Sequence, residues 1–179
     1  MTKRTALLSL MLLTVATLSF AQAGDKSKRP SPPASAECKF SNGKTVKTDY
    51  SSPRAKGRKI YGGLVPFGEI WRTGANDATT FVTDSDVQVG GVNVPAGSYT
   101  IFTVPTKDSW KLVISKKTGE WGTQYPGAEN DLVRVDMKVS ALPAPAENFA
   151  INYADANGKS CTLQLDWETT RASVTVEQK

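Results

Sequence analysis

The chain has 179 residues, with 22 lysines and arginines against 17 aspartates and glutamates, and it contains no histidine. This length fits one domain, and 39% hydrophobic with 22% charged residues is a globular composition that excludes a multi-span membrane protein. Without imidazole, the sequence excludes Ser-His and Cys-His nucleophile pairs, histidine-ligated zinc sites and histidine pH switches.

The first 23 residues have the layout of a secretory signal peptide. Lys3 and Arg4 precede an apolar run over residues 6–20, and a small-residue cleavage site ends at Ala23. The apolar run rises only about 22 Å as a helix, short of the roughly 30 Å of a bilayer's hydrocarbon core. We therefore expect no membrane span after cleavage, and an exported protein that is periplasmic or extracellular.

Residues 24–36 differ from the rest of the chain in composition. They contain three basic residues, three prolines and no large apolar side chain, which predicts a disordered tether. Removal of Lys3 and Arg4 with the signal peptide leaves the mature chain only mildly basic. We therefore expect no nucleic acid partner.

From Cys38 onward, apolar residues recur at every second position, as in residues 110–114 and 161–167. This is the pattern of half-buried β-strands, and turn-forming pairs such as Gly90-Gly91 separate the runs at hairpin spacing. We predict an all-β domain over residues 37–178, an antiparallel two-sheet β-sandwich of about ten short strands. The predicted strands cover residues 37–41, 44–51, 78–83, 86–89, 98–104, 109–115, 131–140, 148–154, 159–167 and 171–177.

The stretch over residues 140–147, SALPAPAE, interrupts the alternation. It contains two prolines, and proline cannot donate to the hydrogen-bond ladder of a sheet. We predict that this stretch crosses between the two sheets and does not link two domains.

The two cysteines predict a disulfide. Export delivers them to an oxidising compartment, and Cys38 and Cys161 each lie in phase with apolar neighbours on an inward strand face. Neither lies in a CxxC pair, so nothing visible would lower a thiol pKa for catalysis. We therefore expect one bond between the first strand and a late one.

Between Tyr50 and Thr80 the alternation stops, and glycines, prolines and basic residues accumulate. A loop of this length in a compact domain is usually functional or forms an ordered cover. We expect it to be ordered over one end or edge of the sandwich, with apolar anchors worth roughly 1.5 to 3 kcal/mol each when buried. The expected anchors are Ile60, Leu64, Val65, Phe67 and Ile70.

The polar residues of this segment allow two interpretations. In the first, the segment is a binding site whose lysine and arginine side chains face an anionic ligand, with Arg58 and Arg72 turned toward one concave surface. Trp71 then provides a stacking wall, and Asn76 orients the ligand. As structure, the guanidinium groups cap carbonyls at sheet ends, and Glu69 pairs with Arg72 or a neighbour. The candidate ligand-binding residues are Arg54, Lys56, Arg58, Glu69, Trp71, Arg72, Asn76 and Trp121.

Other candidate sites are weaker. Trp121 lies near Tyr125 in a glycine-rich loop that either stacks on sugars or plugs one end of the sandwich. A pair of acidic residues could serve a glycoside hydrolase, although solvated strand faces and turns account for them equally. The sequence has no P-loop, dinucleotide fingerprint or metal-ligand motif, so we predict no cofactor and no metal. The acidic candidates are Glu69, Asp77, Asp84, Asp86, Glu120, Asp166 and Glu168.

Four segments, KGRKIYGGLVPFGEIWRTGANDATTF, VPAGSYTIFTVP, SWKLVISKKTGEWG and LDWETTRASVTV, resemble in sequence and order the bacterial secreted domain-of-unknown-function family numbered 2911. The resemblance extends from about Ser35 to Glu177 and implies an exported, mostly β domain without an assigned activity. It therefore transfers no catalytic residue. The family's recurrent positions correspond to Pro53, Lys56, Gly57, Arg58, Gly62, Leu64, Pro66, Gly68, Trp71, Arg72, Gly74, Ala75, Asn76 and Ala78.

These observations favour an exported, non-enzymatic β-sandwich that binds a small molecule, a glycan or a protein through residues 54–76. A glycan and an anionic small molecule both fit the aromatic and basic side chains. The alternative is a histidine-free hydrolase of the glycosidase type. Two carboxylates in one cleft would favour the enzyme, whereas a surface of Arg, Trp and Asn would favour the binding module.

Overall fold

A computed structural model of the chain describes residues 25–179, so the predicted signal peptide lies outside the described residues. The strands pair in one antiparallel order, β1-β2-β3-β6-β7-β8-β9-β4-β5. Their bounds, in chain order, are β1 (Pro33–Lys39), β2 (Thr45–Ser51), β3 (Thr80–Thr83), β4 (Val87–Val89), β5 (Val92–Val94), β6 (Gly97–Pro105), β7 (Trp110–Ser115), β8 (Asp131–Ala154) and β9 (Ser160–Gln178).

The all-β prediction is confirmed. Within residues 25–179, the helical segments are two 3-10 turns of three residues, Lys26–Lys28 and Ala128–Asn130. None of the described helices is long and apolar enough to cross a membrane.

Strand β8 changes partners along its length, and this replaces the predicted pair of sheets by one continuous sheet. Its first part, up to Met137, pairs with β7, and from Lys138 onward it pairs with β9. A strand of 24 residues is long enough to leave one neighbour and take up the next. The sheet therefore has two arms, β1-β2-β3-β6-β7 and β9-β4-β5, joined by β8.

The prediction that residues 140–147 cross between sheets is wrong, because they lie inside β8. The register with β9 shifts between Ala141 and Ala146, where Pro143 and Pro145 lack the N–H that a regular ladder requires. The prolines thus distort the strand without ending it. The predicted count of ten strands differs for this reason, since four predicted strands merge into β8 and β9 and the short β5 was missed.

Both arms contribute to one hydrophobic core. Phe81 and Leu112 from one arm and Leu165 and Trp167 from the other are almost fully buried in the same cluster. A second, smaller cluster of Ala78, Phe102 and Val113 is packed by Ile70 and Tyr125. Because successive strand residues face opposite ways, β6 and β7 are buried on both faces.

The predicted tether, residues 24–36, is shorter than expected. Residues 33–36 form the first half of β1 and pair with residues 48–51 of β2. The preceding residues are tied to the domain by the Asn76 side-chain amide, which donates to the Ser31 carbonyl at 3.0 Å, and by an ion pair of Arg29 with Asp77 at 3.6 Å.

The predicted disulfide is confirmed. Cys38 in β1 bonds to Cys161 in β9 across 123 residues of sequence, with the Cα atoms 6.6 Å apart. Both cysteines are buried in the main core. The bond therefore links the first strand to the last one, and in the chain-entropy view it restricts the unfolded chain.

Reduction should lower the free energy of unfolding by roughly 4 to 5 kcal/mol, the value that loop-closure entropy assigns to a loop of this length. Urea unfolding with and without a reductant measures the difference. The Cys38→Ala, Cys161→Ala double variant is the control, because its unfolding midpoint should not respond to the reductant. Two titratable thiols in unreduced protein would contradict the assignment.

Candidate functional site

The segment between β2 and β3, residues 52–79, is called here the cover segment, and it bridges two distant strands. At its start, the Phe149 amide of β8 donates to the Pro53 carbonyl at 2.9 Å. Further along, Trp71 and Thr103 of β6 exchange two backbone hydrogen bonds of 2.8 and 2.9 Å. The cover segment is therefore held by strand-like pairing at its start and again at Trp71.

The anchors of the cover segment differ partly from those predicted. Ile60 and Val65 are buried as expected, and Tyr61 joins them. Leu64 and Phe67, also predicted as anchors, are 47% and 37% exposed. They lie in a glycine-rich turn in which the chain reverses after Ile60, and residues 62–64 and 66–69 of this turn are exposed.

An aromatic cluster fastens the cover segment to β8 and β9. The indole of Trp71 stacks on Trp167 of β9 at a centroid distance of 5.8 Å, and Phe149 of β8 meets both rings edge-on. Tyr61 packs edge-on against Trp110 of β7 at 4.8 Å. Such pairs add about 0.5 to 1.5 kcal/mol each beyond the burial of their area. The cluster thereby fixes the path of the backbone on either side of Trp71.

A cavity of about 420 Å³ lies between the cover segment and the aromatic cluster. Its walls combine aliphatic and proline side chains, two indoles and three charged side chains. The lining residues are Ser31, Pro53, Arg58, Leu64, Val65, Pro66, Glu69, Ile70, Trp71, Arg72, Gly74, Ala75, Thr123 and Trp167.

Arg72 is the exceptional residue of this cavity. Its guanidinium forms no side-chain hydrogen bond and no ion pair within residues 25–179, and its Nε is buried without an acceptor. Burial also lowers the pKa of the Arg72 guanidinium, because desolvation disfavours the charged form. The predicted pairing with Glu69 is therefore not found, and Arg72 does not cap a sheet carbonyl.

The backbone immediately after Arg72 is strained. Thr73 has a φ of 56°, the left-handed region that β-branched residues rarely occupy, and it is completely buried. Its hydroxyl contacts that of Thr103 at 3.2 Å, and its carbonyl accepts from the Thr79 hydroxyl at 2.6 Å. A cost of about 1 to 3 kcal/mol at one residue persists only where the surroundings enforce it, most often at functional sites.

The other two arginines of the candidate set have structural partners. Arg58 lines the cavity, but its Nε donates to the Ala55 carbonyl at 3.0 Å and its Nη2 to the Arg54 carbonyl at 2.7 Å. Arg54 lies outside the lining and donates to both the carbonyl and the hydroxyl of Ser52. Arg54 and Arg58 therefore cap backbone carbonyls, as the structural interpretation of the sequence predicts.

Lys56, Asn76 and Trp121 do not reach the cavity. Lys56 is exposed, Asn76 holds the carbonyl of Ser31, and Trp121 is 63% exposed. Tyr125, in the same loop as Trp121, instead packs edge-on against Phe102 at 5.3 Å and plugs the second cluster. The structure thus brings together Arg58, Glu69, Trp71 and Arg72 from the predicted set.

The acidic candidates are dispersed. Glu69 is the one carboxylate in the described lining of the cavity. Asp166 forms a two-pronged pair with Arg171, and Glu120 accepts from the Thr100 hydroxyl. No group of three potential metal ligands occurs within residues 25–179.

Three lining residues, Ser31, Thr123 and Trp167, lie outside the cover segment and were not predicted as site residues. Trp167 lies on the apolar face of β9, and the alternation predicts it as a core residue. It is buried in the core, and it also lines the cavity. Ser31 was assigned to the tether and Thr123 to the aromatic loop. Only their proximity in space identifies them, since neither is adjacent in sequence to the cover segment.

A family model described as "Protein of unknown function (DUF2911)" matches residues 31–176. The chain belongs to this family. Comparison with curated proteins and with solved structures found no match.

Hydrogen exchange should separate the fixed part of the cover segment from its solvated turn. The amides of Trp71 and Thr103 donate to each other's carbonyls, so we expect them to exchange as slowly as core strand amides. The amide of exposed Lys59 has no backbone acceptor in the described chain and should exchange rapidly. Fast exchange at Trp71 would contradict the strand-like pairing with β6.

Proposed function

We propose that this protein is an exported, non-enzymatic binding module that holds a small anionic molecule in the cavity beneath the cover segment. The carrying observation is Arg72, a partly buried cation without a protein acceptor in the described chain, at the wall of a cavity. A desolvated charge with no partner lowers the stability of a fold. A ligand anion would supply the missing acceptor.

The dimensions and walls of the cavity support a small ligand. Its volume of about 420 Å³ lies in the range of roughly 300 to 1,000 Å³ common for small-molecule sites. Its lining combines apolar side chains with polar and charged groups, as the lining of a small-molecule site does. Trp121 and Phe67 are exposed surface for a glycan or a protein, but such a ligand would not place an anion against the guanidinium of Arg72.

Export is part of the proposal. The predicted signal peptide over residues 1–23 and the buried disulfide both fit folding in an oxidising compartment, the periplasm or the exterior. The hydrolase alternative gains no support from the cavity. Its described lining contains one carboxylate, Glu69, whereas a glycosidase needs two about 5 to 10 Å apart.

Stability measurements on two arginine variants test whether Arg72 has a structural role. Arg72→Met should leave the free energy of unfolding unchanged or raise it by up to about 1 kcal/mol, because it removes a desolvated charge that has no partner. Arg58→Met is the matched variant in the same lining and should lose about 1 kcal/mol with its two carbonyl bonds. Urea unfolding at neutral pH measures both. A larger loss for Arg72→Met than for Arg58→Met would show that Arg72 is structural.

Ligand binding is tested by thermal shift with carboxylates, phosphates, sulfates and matched uncharged compounds. We expect at least one anion to raise the melting temperature of the wild-type protein and to have no effect on Arg72→Met. Lys116→Met removes one charge at an exposed position outside the lining and should respond like the wild type. Equal responses of the wild type and Arg72→Met to every anion would refute the proposed function.

A further inference from the structure

We infer that the ligand of the cavity is a small monocarboxylate with an aromatic or alicyclic body. This inference rests on the proposed function and specifies the chemical class of its ligand. Three features of the described residues carry it: the free edge of the Arg72 guanidinium, the aromatic wall beside it, and the distribution of charge around the cavity.

The free edge of Arg72 selects the shape of the acceptor. A guanidinium has two such edges, Nε with one Nη and the two Nη groups together, and each presents two parallel donors that match the two oxygens of a carboxylate. Arg171 shows this geometry in the same protein, since its Nε and Nη2 donate to the two carboxylate oxygens of Asp166 at 2.8 and 2.6 Å. In Arg72 the buried Nε has no acceptor. The two Nη groups of Arg72 form no hydrogen bond within residues 25–179 and are not buried, so this edge is the one that a ligand can reach, and a planar carboxylate accepts from both groups with its two oxygens.

The wall beside Arg72 selects the body of the ligand. Trp71 is only partly buried although it stacks on Trp167, so part of its ring remains available to the cavity. Val65 and Ile70 add aliphatic surface. A ring-shaped apolar group would bury surface against these side chains at about 25 cal/mol per Å².

The charge distribution selects a single negative charge. Glu69 lines the same cavity and repels a second negative charge, while two donors of Arg58 are already bound to backbone carbonyls. Arg72 is thus the one lining cation in the described chain with its whole guanidinium free. A phosphate monoester, which carries up to two charges, fits this arrangement less well than a carboxylate.

The test is calorimetric titration of the disulfide-bonded protein with four probes: 2-naphthylacetate, its amide, acetate and 2-naphthyl phosphate. We expect 2-naphthylacetate to bind at least about tenfold more tightly than its amide, which leaves Arg72 unpaired. Acetate, which lacks the ring, and the phosphate should also bind at least about tenfold more weakly.

Variants assign each preference to a residue. Arg72→Met should abolish binding of 2-naphthylacetate, and Arg72→Lys should weaken it about tenfold because the charge remains but the fork is lost. Glu69→Gln should reduce the difference in affinity between 2-naphthylacetate and 2-naphthyl phosphate, because it removes the negative charge that repels the phosphate. Lys116→Met should bind like the wild type.

Two outcomes separate this inference from the proposed function. If 2-naphthyl phosphate or inorganic phosphate binds more tightly than 2-naphthylacetate and loses binding in Arg72→Met, the carboxylate class is wrong but the anion site stands. If the amide binds as well as the acid and Arg72→Met has no effect on either, the inference and the anion site both fail.

Discussion

The placement of Trp71 is the constraint on which the site depends. Its backbone is paired in both directions with Thr103 of β6, and its ring is stacked on Trp167 of β9. The two attachments fix both the position and the direction of the chain at this point. The next residue, Arg72, therefore has little freedom, and the strained φ of Thr73 shows that the backbone beyond it is also determined by its surroundings. The aromatic packing of Trp71 thus keeps the Arg72 guanidinium partly buried, although a cation without a partner favours solvent.

The partly buried guanidinium of Arg72 is unfavourable for the stability of the fold, because no partner in the described chain compensates its desolvation. A fold that optimised its own stability would pair Arg72 with a carboxylate, as it pairs Arg171 with Asp166, or would replace it by an apolar residue. The described chain does neither, although Glu69 lines the same cavity. Binding sites commonly retain such uncompensated groups because the ligand completes their hydrogen bonds. The proposal therefore rests on the absence of a partner for Arg72 within residues 25–179 and not on the number of basic residues nearby.

The rest of the fold supplies rigid supports for this arrangement. Strand β8 joins the two arms of the sheet, and near its prolines it gives up regular pairing with β9. In the same region its backbone takes up the start of the cover segment, at Pro53 and Ala55. The disulfide ties β1, the first strand, covalently to β9, the last strand. Each end of the cover segment thus meets a strand that is itself fixed by the core.

The sequence by itself determined the all-β class, the disulfide and the departure of the segment around Arg72 from the strand pattern. These follow from local rules: alternation of apolar residues, two cysteines in phase with them, and a concentration of glycine, proline and arginine. The sequence did not determine that Pro143 and Pro145 lie inside a strand, because alternation cannot reveal a strand that changes partners. Nor did it distinguish Arg58 from Arg72, which carry the same side chain within one segment. Only the tertiary structure decided that Arg58 binds carbonyls while Arg72 faces a cavity closed by Trp167, since hydrogen-bond partners and cavity walls come from residues distant in the chain.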